Sequence, residues 1–412
     1  MQKLTELFTL GDLYVSDFIK DDSDYNQRNK YQLKLMLEED TGAVRLESMP
    51  PKHMMWGKYW YRSGTNQTMK NHLADIVSSV TSLIQTKEDD LWLDIACNDG
   101  TLLSYIPKHI KRLGIDPVDD SYIKESRNHA DEIIQDYFSK DAYNKSKFAG
   151  KKAKIVTAVA MFYDVENPDS FIKDVYDIME DDGVWVLQMS YTPLMIQQMA
   201  FDNICHEHLY YYSLFNIKKI LERNNFKILN CSLNDTNGGS FRVYCVKDKS
   251  NIKKYSTQQN RDIFKFNVES ILSYEQSLLL DKKETWVNFF NKIQELKRQT
   301  KEFIIQEKKA GKTIAGYGAS TKGNTLLQYF DIDHTLIDYM VERSSYKFGL
   351  KTIGTNIPIV SEEEMRKLKP DYLLVLPWHF IDEFVNREQE YLNSGGKFIV
   401  PCPKFEIIEK SN

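Results

Sequence analysis

The chain is poor in cysteine, and its cysteines are not spaced to bind a metal or to pair. Only five occur in 412 residues, none of them precedes Cys97, and no two have Cys-x-x-Cys spacing. This scarcity excludes a zinc ribbon and a disulfide framework, and it predicts a reducing, cytoplasmic environment. We therefore expect no bound metal.

Long apolar runs and an excess of positive charge are also missing. No segment reaches the length of a transmembrane helix, and the first residues lack the layout of a signal peptide. The formal net charge of −5 gives no general attraction for nucleic acid or for an anionic membrane. Since 42% of the residues are hydrophobic, the composition predicts two or three domains with sizeable cores.

Residues 91–106 predict a strand, a tight turn and a helix. Leu91–Ile95 is a short apolar run, Asn98–Gly100 are turn residues, and Thr101 begins a helical pattern. Such a turn directs backbone N–H groups at a ligand. It lacks the glycines that let a pyrophosphate approach, which disfavours a nicotinamide oxidoreductase and leaves room for S-adenosylmethionine. An ordinary turn without a ligand is the alternative.

Further polar residues follow the next strands of this predicted parallel sheet. Asp116 closes the second strand, where an acid holds ribose hydroxyls in nucleotide folds. Asp136 and Tyr137 follow the third strand and suit an adenine, although taken alone they fit a capping acid beside a core tyrosine somewhat better. The residues that we expect to bind the donor are Asp94, Cys97, Asn98, Gly100, Asp116, Asp136, Tyr137 and Ala160.

The order of apolar patterns divides the chain into four parts. Residues 1–75 predict a small β-rich module with a hairpin, and residues 76–247 alternate strands and helices around a mostly parallel sheet. Residues 248–300 predict a helical connector, and residues 301–412 predict a second α/β domain. The fold class is therefore α/β, with a β-rich module at the amino terminus.

Three segments outside the first turn have residues suited to chemistry or binding. His206-Glu207-His208 lies in an aromatic stretch and admits three interpretations: a metal site without a third ligand, structural histidines, or acid–base chemistry. The loop 318–323 suits a phosphate cradle or a plain turn. The aromatic stretch 59–61 predicts either a docking contact between domains or a wall of the active site.

Taken together, these segments resemble the sugar C-methyltransferase family, which acts on nucleotide-linked keto-deoxyhexoses. The resemblance covers nearly the whole chain and depends most on the His-Glu-His and Gly-Tyr-Gly-Ala motifs. It implies a zinc-binding N-terminal module, a central Rossmann-like class I methyltransferase domain, and a Rossmann-like C-terminal domain that helps to hold the sugar nucleotide. The matching segments are Tyr61–Gly64, Asp94–Leu103, Ile204–Leu209, Gly238–Arg242 and Gly316–Leu327.

The sequence departs from this family in two places. Members carry four cysteines in the N-terminal module, whereas Glu38 and Thr41 stand here about where the second pair falls. We expect no structural zinc and a hairpin held by packing alone. Cys205 stands where the family usually has a tyrosine, and we expect Tyr210 or Tyr61 to take over any sugar contact that this tyrosine makes in relatives.

The resemblance implies that His208 removes a proton next to a ketone and that Glu207 polarises or orients the His208 ring. His206 belongs to the same motif. O- or N-methylation of a sugar nucleotide at the same donor site is one alternative. A nucleotide-sugar-binding protein with a vestigial donor site is another. We expect a monomer or homodimer. The residues expected to contact the substrate are Tyr61, Arg62, Cys205, Tyr210, Ser240, Arg242, Ser320 and Lys322.

Overall fold

The computed structural model describes residues 3–21, 29–56, 60–255 and 257–410. Three sheets of four, seven and six strands organise these residues, together with a two-stranded ribbon. The mixed α/β architecture, with a β-rich N-terminal region, confirms the predicted fold class. Among the described residues, no helix is long and apolar enough to cross a membrane.

The N-terminal sheet is antiparallel and includes a strand from the middle of the chain. Its strands are β1 (Leu4–Tyr14), β3 (Lys30–Glu38), β4 (Val44–Leu46) and β10 (Tyr210–Tyr211). The predicted hairpin is β3–β4. Strand β10 pairs with β4 directly after the His-Glu-His segment, so that segment is tied to the N-terminal sheet. A short helix, α1 (Lys52–Trp56), follows the hairpin.

The central sheet has the strand order β11-β12-β9-β8-β5-β6-β7. Strands β5 to β9 are parallel, and β12 and β11 extend this sheet in antiparallel pairing. The carboxyl ends of the parallel strands therefore meet at one edge. The strands are β5 (Leu91–Ile95), β6 (Lys111–Ile115), β7 (Glu132–Ile134), β8 (Ala153–Val159), β9 (Met179–Ser190), β11 (Phe226–Asn234) and β12 (Ser240–Lys247).

Helices flank the central sheet and bury its strands. Most of their starts and ends lie within a few residues of the apolar patterns in the sequence. Strand β9, in contrast, begins four residues before the apolar run that starts at Gly183, because the acidic residues 180–182 resemble a turn in sequence although they continue the strand. The helices are α2 (Gln67–Leu83), α3 (Thr101–Tyr105), α4 (Asp120–Ser126), α5 (Lys140–Asn144), α6 (Pro168–Ile178), α7 (Thr192–Gln197) and α8 (Leu214–Arg223).

The connector consists of two helices, α9 (Gln258–Ser277) and α10 (Lys283–Lys309). Helix α10 extends nine residues beyond the predicted end of the connector at position 300, since its buried positions continue to Ile304 at helical spacing. The ring of Phe290 on α10 stacks on Phe8 of β1 at 4.7 Å. The connector therefore also packs against the N-terminal sheet.

The C-terminal sheet has the order β16-β14-β13-β17-β18-β19 and is parallel except for β19. Strands β16 and β19 were not predicted; each has only three residues. The strands are β13 (Ile314–Tyr317), β14 (Met340–Glu342), β16 (Ile359–Ser361), β17 (Tyr372–Val375), β18 (Lys397–Val400) and β19 (Glu406–Ile408). The helices are α11 (Thr321–Phe330), α12 (Glu362–Leu368), α13 (Ile381–Arg387) and α14 (Gln389–Asn393).

The three sheets share one continuous apolar cluster. Phe201, which follows α7, stacks on Phe330 of α11 with ring centroids 5.3 Å apart. The two-stranded ribbon joins the N-terminal and C-terminal parts of the chain by pairing β2 (Phe18–Ile19) with β15 (Lys351–Thr352). The predicted domains are therefore connected by side-chain packing and by backbone pairing.

Hydrogen bonds hold the N-terminal hairpin, so the prediction of packing alone is wrong. Glu38 is buried, and its carboxylate accepts from the Thr41 hydroxyl at 2.8 Å and from the Tyr210 hydroxyl at 3.3 Å. Arg45 donates to the same Tyr210 hydroxyl at 3.0 Å. Tyr210 is far away in sequence, so the spacing within the hairpin does not reveal it. In the described chain, no group of three His, Cys, Asp or Glu side chains is arranged to hold a metal.

Candidate functional site

A cavity of about 420 Å³ lies beyond the carboxyl ends of the parallel central strands. Ligands bind at this edge in open α/β sheets, and the volume is within the range of small-molecule sites. Helix α2 closes one side. The residues that follow successive strands and line the cavity are Asp94–Asn98, Ile115–Val118, Tyr137–Ser139, Val159–Met161 and Gln188–Ser190.

The turn after β5 reaches this cavity through left-handed backbone conformations. Ala96 and Asn98 have φ of 58° and 51°, and Gly100, which precedes α3, has φ of 80°. A Cβ on Gly100 would lie 2.8 Å from the Cα of Ser126. Only glycine fits there, whereas asparagine tolerates the left-handed region at position 98. Gly100 shapes the turn and does not itself line the cavity.

Two buried acids give the cavity a negative character. The Thr157 hydroxyl donates to Asp94 Oδ1 at 2.6 Å. The backbone N–H groups of Asn98 and Val118 donate to the two oxygens of Asp116 at 2.7 Å and 3.0 Å. Burial and, to a smaller extent, the nearby Asp116 raise the pKa of Asp94 to about 7, although the hydrogen bond from Thr157 acts in the opposite direction. A cationic ligand would relieve this cost by favouring the ionised carboxyl.

The structure brings six of the eight expected donor residues together. Asp136 is not among the lining residues, because its carboxylate accepts from Lys145 at 2.7 Å and from the backbone of Tyr137. Gly100 lies behind the turn. The six residues that line the cavity are Asp94, Cys97, Asn98, Asp116, Tyr137 and Ala160.

A hydrogen-bonded chain at the cavity wall was not anticipated from the sequence. Arg242 Nε donates to Gln188 Oε1 at 2.8 Å, so the amide nitrogen of Gln188 donates to His72 Nε2. The other nitrogen of this neutral imidazole therefore carries the hydrogen and donates to the Thr236 hydroxyl at 3.0 Å. A histidine on the otherwise apolar face of α2 was the available signal.

The His206–His208 segment lies beside the cavity. His206 Nε2 donates to the Tyr31 carbonyl oxygen at 2.9 Å, which places this ring against the N-terminal sheet. His208 Nδ1 donates to the Asn203 carbonyl oxygen at 2.8 Å, and its ring centroid is 4.3 Å from that of Tyr163. None of the three motif residues is a lining residue. Tyr163 precedes Asp164, which does line the cavity.

Burial controls the protonation of this segment. Burial and, to a smaller extent, the positive charge of Lys322 lower the pKa of His208 to about 3. The imidazole is therefore neutral at neutral pH. Burial raises the pKa of Glu207. Burial also raises the pKa of Asp164, and the negative charge of Glu207 acts in the same direction.

The expected substrate residues are divided between the cavity and other places. Tyr61 and Ser240 line the cavity. Tyr59, from the same aromatic stretch, lies outside the described residues. Cys205 is buried. The remaining residues bind protein partners: Arg62 to Glu125 and Ser121, Tyr210 to Glu38, Arg242 to Gln188 and Asp75, Ser320 to the backbone of Gly323, and Lys322 to Asn203.

Two family models match consecutive parts of the chain. A methyltransferase domain matches residues 67–230, and a C-methyltransferase C-terminal domain matches residues 235–403. C-methyltransferase NovU of Streptomyces niveus is 24% identical over 393 residues, which are 95% of this chain and 91% of that protein. This chain is an S-adenosylmethionine-dependent C-methyltransferase. Its central sheet spans both matched regions, since β12 belongs to the second.

Solved structures also overlap with part of this C-methyltransferase. Magnesium protoporphyrin IX methyltransferase from Synechocystis PCC 6803, solved with bound SAM, is 14% identical and covers 43% of the chain and 79% of its own, with a TM-score of 0.33. An S-adenosylmethionine-dependent methyltransferase from Clostridium acetobutylicum ATCC 824 is 11% identical and covers 44% and 93%, also with a TM-score of 0.33.

Proposed function

We propose that this C-methyltransferase transfers the methyl group to a carbon atom next to the ketone of a nucleotide-linked keto-deoxysugar. The observation that carries the proposal is the neutral, tautomer-fixed imidazole of His208 beside a cavity lined by buried acids. The resemblance to sugar C-methyltransferases and the match to NovU support the substrate class. The free state of all five cysteines supports a reducing, cytoplasmic setting.

The cavity residues fit the donor. We assign the ammonium group of its amino-acid part to Asp94, its ribose to Asp116 and its adenine to Tyr137. The assignment is supported by the two buried carboxyls, which suit a cation, and by the left-handed turn, which needs no close approach to a phosphate. When bound, S-adenosylmethionine supplies an electrophilic methyl group.

His208 acts as the general base in this proposal. Its Nδ1 is occupied by the hydrogen bond to Asn203, so Nε2 is the nitrogen that accepts the proton from the carbon next to the ketone. We assign to Glu207 the polarising or orienting role that the resemblance implies. Tyr163 contacts the His208 ring. The Tyr163 side chain must therefore move aside, or the sugar must pass it, before the proton is transferred. General-base help of this kind contributes roughly 10²–10⁴-fold.

We assign the second part of the substrate site to the C-terminal domain. The domain boundaries at residues 75, 247 and 300 also belong to this proposal. Tyr61 and Ser240 line the cavity and are the expected sugar contacts. Ser320 caps α11 at the loop that the sequence suggested as a phosphate cradle. The nucleotide would then extend from the cavity toward this domain.

The decisive experiment follows the label on the acceptor carbon. The protein is incubated with S-adenosylmethionine and nucleoside-diphosphate keto-deoxyhexoses that carry deuterium next to the ketone. We expect the product to gain one methyl group and to lose the label. Retention of the label in a methylated product would indicate O- or N-methylation and would overturn the proposal.

The base is tested with His208→Asn. We expect turnover to fall by roughly two orders of magnitude or more while S-adenosylhomocysteine binding is unchanged. His334→Asn is the matched control, because His334 is exposed in the C-terminal domain. Near-normal turnover of the His208 variant would remove this residue from the role.

A further inference from the structure

Lys322 lies where the C-terminal domain meets the segment that precedes the His-Glu-His motif. It belongs to the first turn of α11, whose amino end is capped by the Ser320 hydroxyl. The Lys322 ammonium group donates to Asn203 Oδ1 at 2.5 Å. A lysine from one domain therefore holds a buried side chain of another, 119 residues earlier in the chain.

Asn203 connects this lysine to His208. Its side-chain oxygen accepts from Lys322, and its backbone carbonyl oxygen accepts from His208 Nδ1. The amide nitrogen of Asn203 donates to the carbonyl oxygen of Ala200, so the side chain is fixed at both ends. A carbonyl oxygen only accepts, and this contact therefore fixes the tautomer with the lone pair on Nε2.

The positive charge of Lys322 already interacts with acidic groups of the protein. The buried carboxyls of Asp202 and Glu207 lie within electrostatic reach of its ammonium group. A phosphate would have to compete with these acids and with the Asn203 oxygen. This environment argues against Lys322 as the cation of a phosphate cradle. Because the same charge lowers the pKa of His208, the role that Lys322 has toward the imidazole is one of position and not of basicity.

We propose that Lys322 and Asn203 are positioning residues that hold His208 in the tautomer and orientation of a base. Assembly of the C-terminal domain onto the central sheet is then a condition for catalysis. The proposal rests on the proposed role of His208 and adds that a cation from another domain, through one buried amide, sets up this role.

The test is a comparison of kcat and KM for Lys322→Met, which removes the charge and keeps the length of the side chain. We expect kcat to fall about 10–100-fold, since small errors in placing a reacting group have effects of this size. The KM for the sugar nucleotide should stay within about twofold. Exchange of the acceptor hydrogen with D₂O, measured with S-adenosylhomocysteine, should slow by the same factor as kcat.

Further variants separate positioning from folding. Asn203→Ala should lose kcat to a similar extent, and the double variant should lose no more than the worse single variant, because both act through one contact. Lys322→Arg should restore most of kcat. Lys367→Met is the control: Lys367 is exposed on α12 and pairs with Glu363.

The outcomes discriminate between the two proposals. A higher KM with unchanged kcat for Lys322→Met would make Lys322 a substrate contact and would overturn this inference, while His208 would remain the base. Additive losses in the double variant would also overturn it. If Lys322→Met fails to bind S-adenosylhomocysteine, Lys322→Arg and Asn203→Ala decide. Near-normal turnover of His208→Asn would instead overturn the proposed function itself.

Discussion

Asp94 is a carboxyl group whose pKa is raised by burial. It closes β5, accepts a hydrogen bond from Thr157 and faces the cavity. Its pKa of about 7 is a cost of the unliganded site, because the charged form is poorly solvated there. A cationic ligand stabilises the ionised carboxyl, so Asp94 then contributes to affinity.

This residue predicts a pH dependence of donor-site binding. The ligand ammonium favours ionised Asp94, so binding releases a proton and affinity falls as the pH drops below about 7, approaching about tenfold per pH unit. Calorimetry with S-adenosylhomocysteine in buffers of different ionisation enthalpy measures both effects. Asp94→Asn should bind weakly and with little pH dependence. The same dependence in this variant would assign the titration to another group.

The N-terminal hairpin shows at the level of elements how a polar network holds two strands and a distant segment. Glu38, Thr41 and Arg45 lie on or next to β3 and β4, and Tyr210 belongs to β10. The network therefore also anchors the chain directly after the His-Glu-His motif. A buried acceptor with two donors is costly to remove, because both donors are then left unsatisfied.

Glu38→Ala should lower the free energy of unfolding by about 1–3 kcal/mol. Glu39→Ala, at the exposed neighbouring position that pairs with Lys3, should change it by less than about 1 kcal/mol. Urea unfolding of both variants measures the difference. A chelator should leave the unfolding midpoint unchanged. Equal effects of the two substitutions would show that the network adds no stability.

Among the described residues of the whole molecule, the larger of two apolar clusters includes side chains from all three sheets. Phe330 is fully buried and stacks on Phe201 at the contact between the central and C-terminal sheets. Because the core is continuous across this contact, we expect the central and C-terminal sheets to unfold together.

Phe330→Ala should lower the free energy of unfolding by about 3–5 kcal/mol and shift the single transition as a whole. Phe266→Ala, at a position that is 69% exposed, is the control and should have little effect. Denaturant unfolding monitored by fluorescence and by circular dichroism checks both statements. Two separate transitions, of which only one moves, would mean that the sheets unfold independently.

The sequence alone determined the fold class, the strand–turn–helix unit at residues 91–105 and six donor-site residues that line the cavity. These features depend on neighbouring residues, whose apolar spacing and turn chemistry act locally. The same patterns placed the hairpin β3–β4 and the alternating strands and helices of the central sheet. Strands β16 and β19 carry too few residues for a recognisable period; β4 is equally short and was recognised because it forms the second arm of a hairpin.

Only the tertiary structure decided which distant residues meet. It paired β10 with the N-terminal sheet, placed Tyr210 on Glu38 and Lys322 on Asn203, and directed Asp136 to Lys145. Spacing within a segment contains no information about these partners, since each contact arises when separate elements pack together. Residue types indicated the chemistry, whereas packing between distant segments determined the hydrogen bonds that control it.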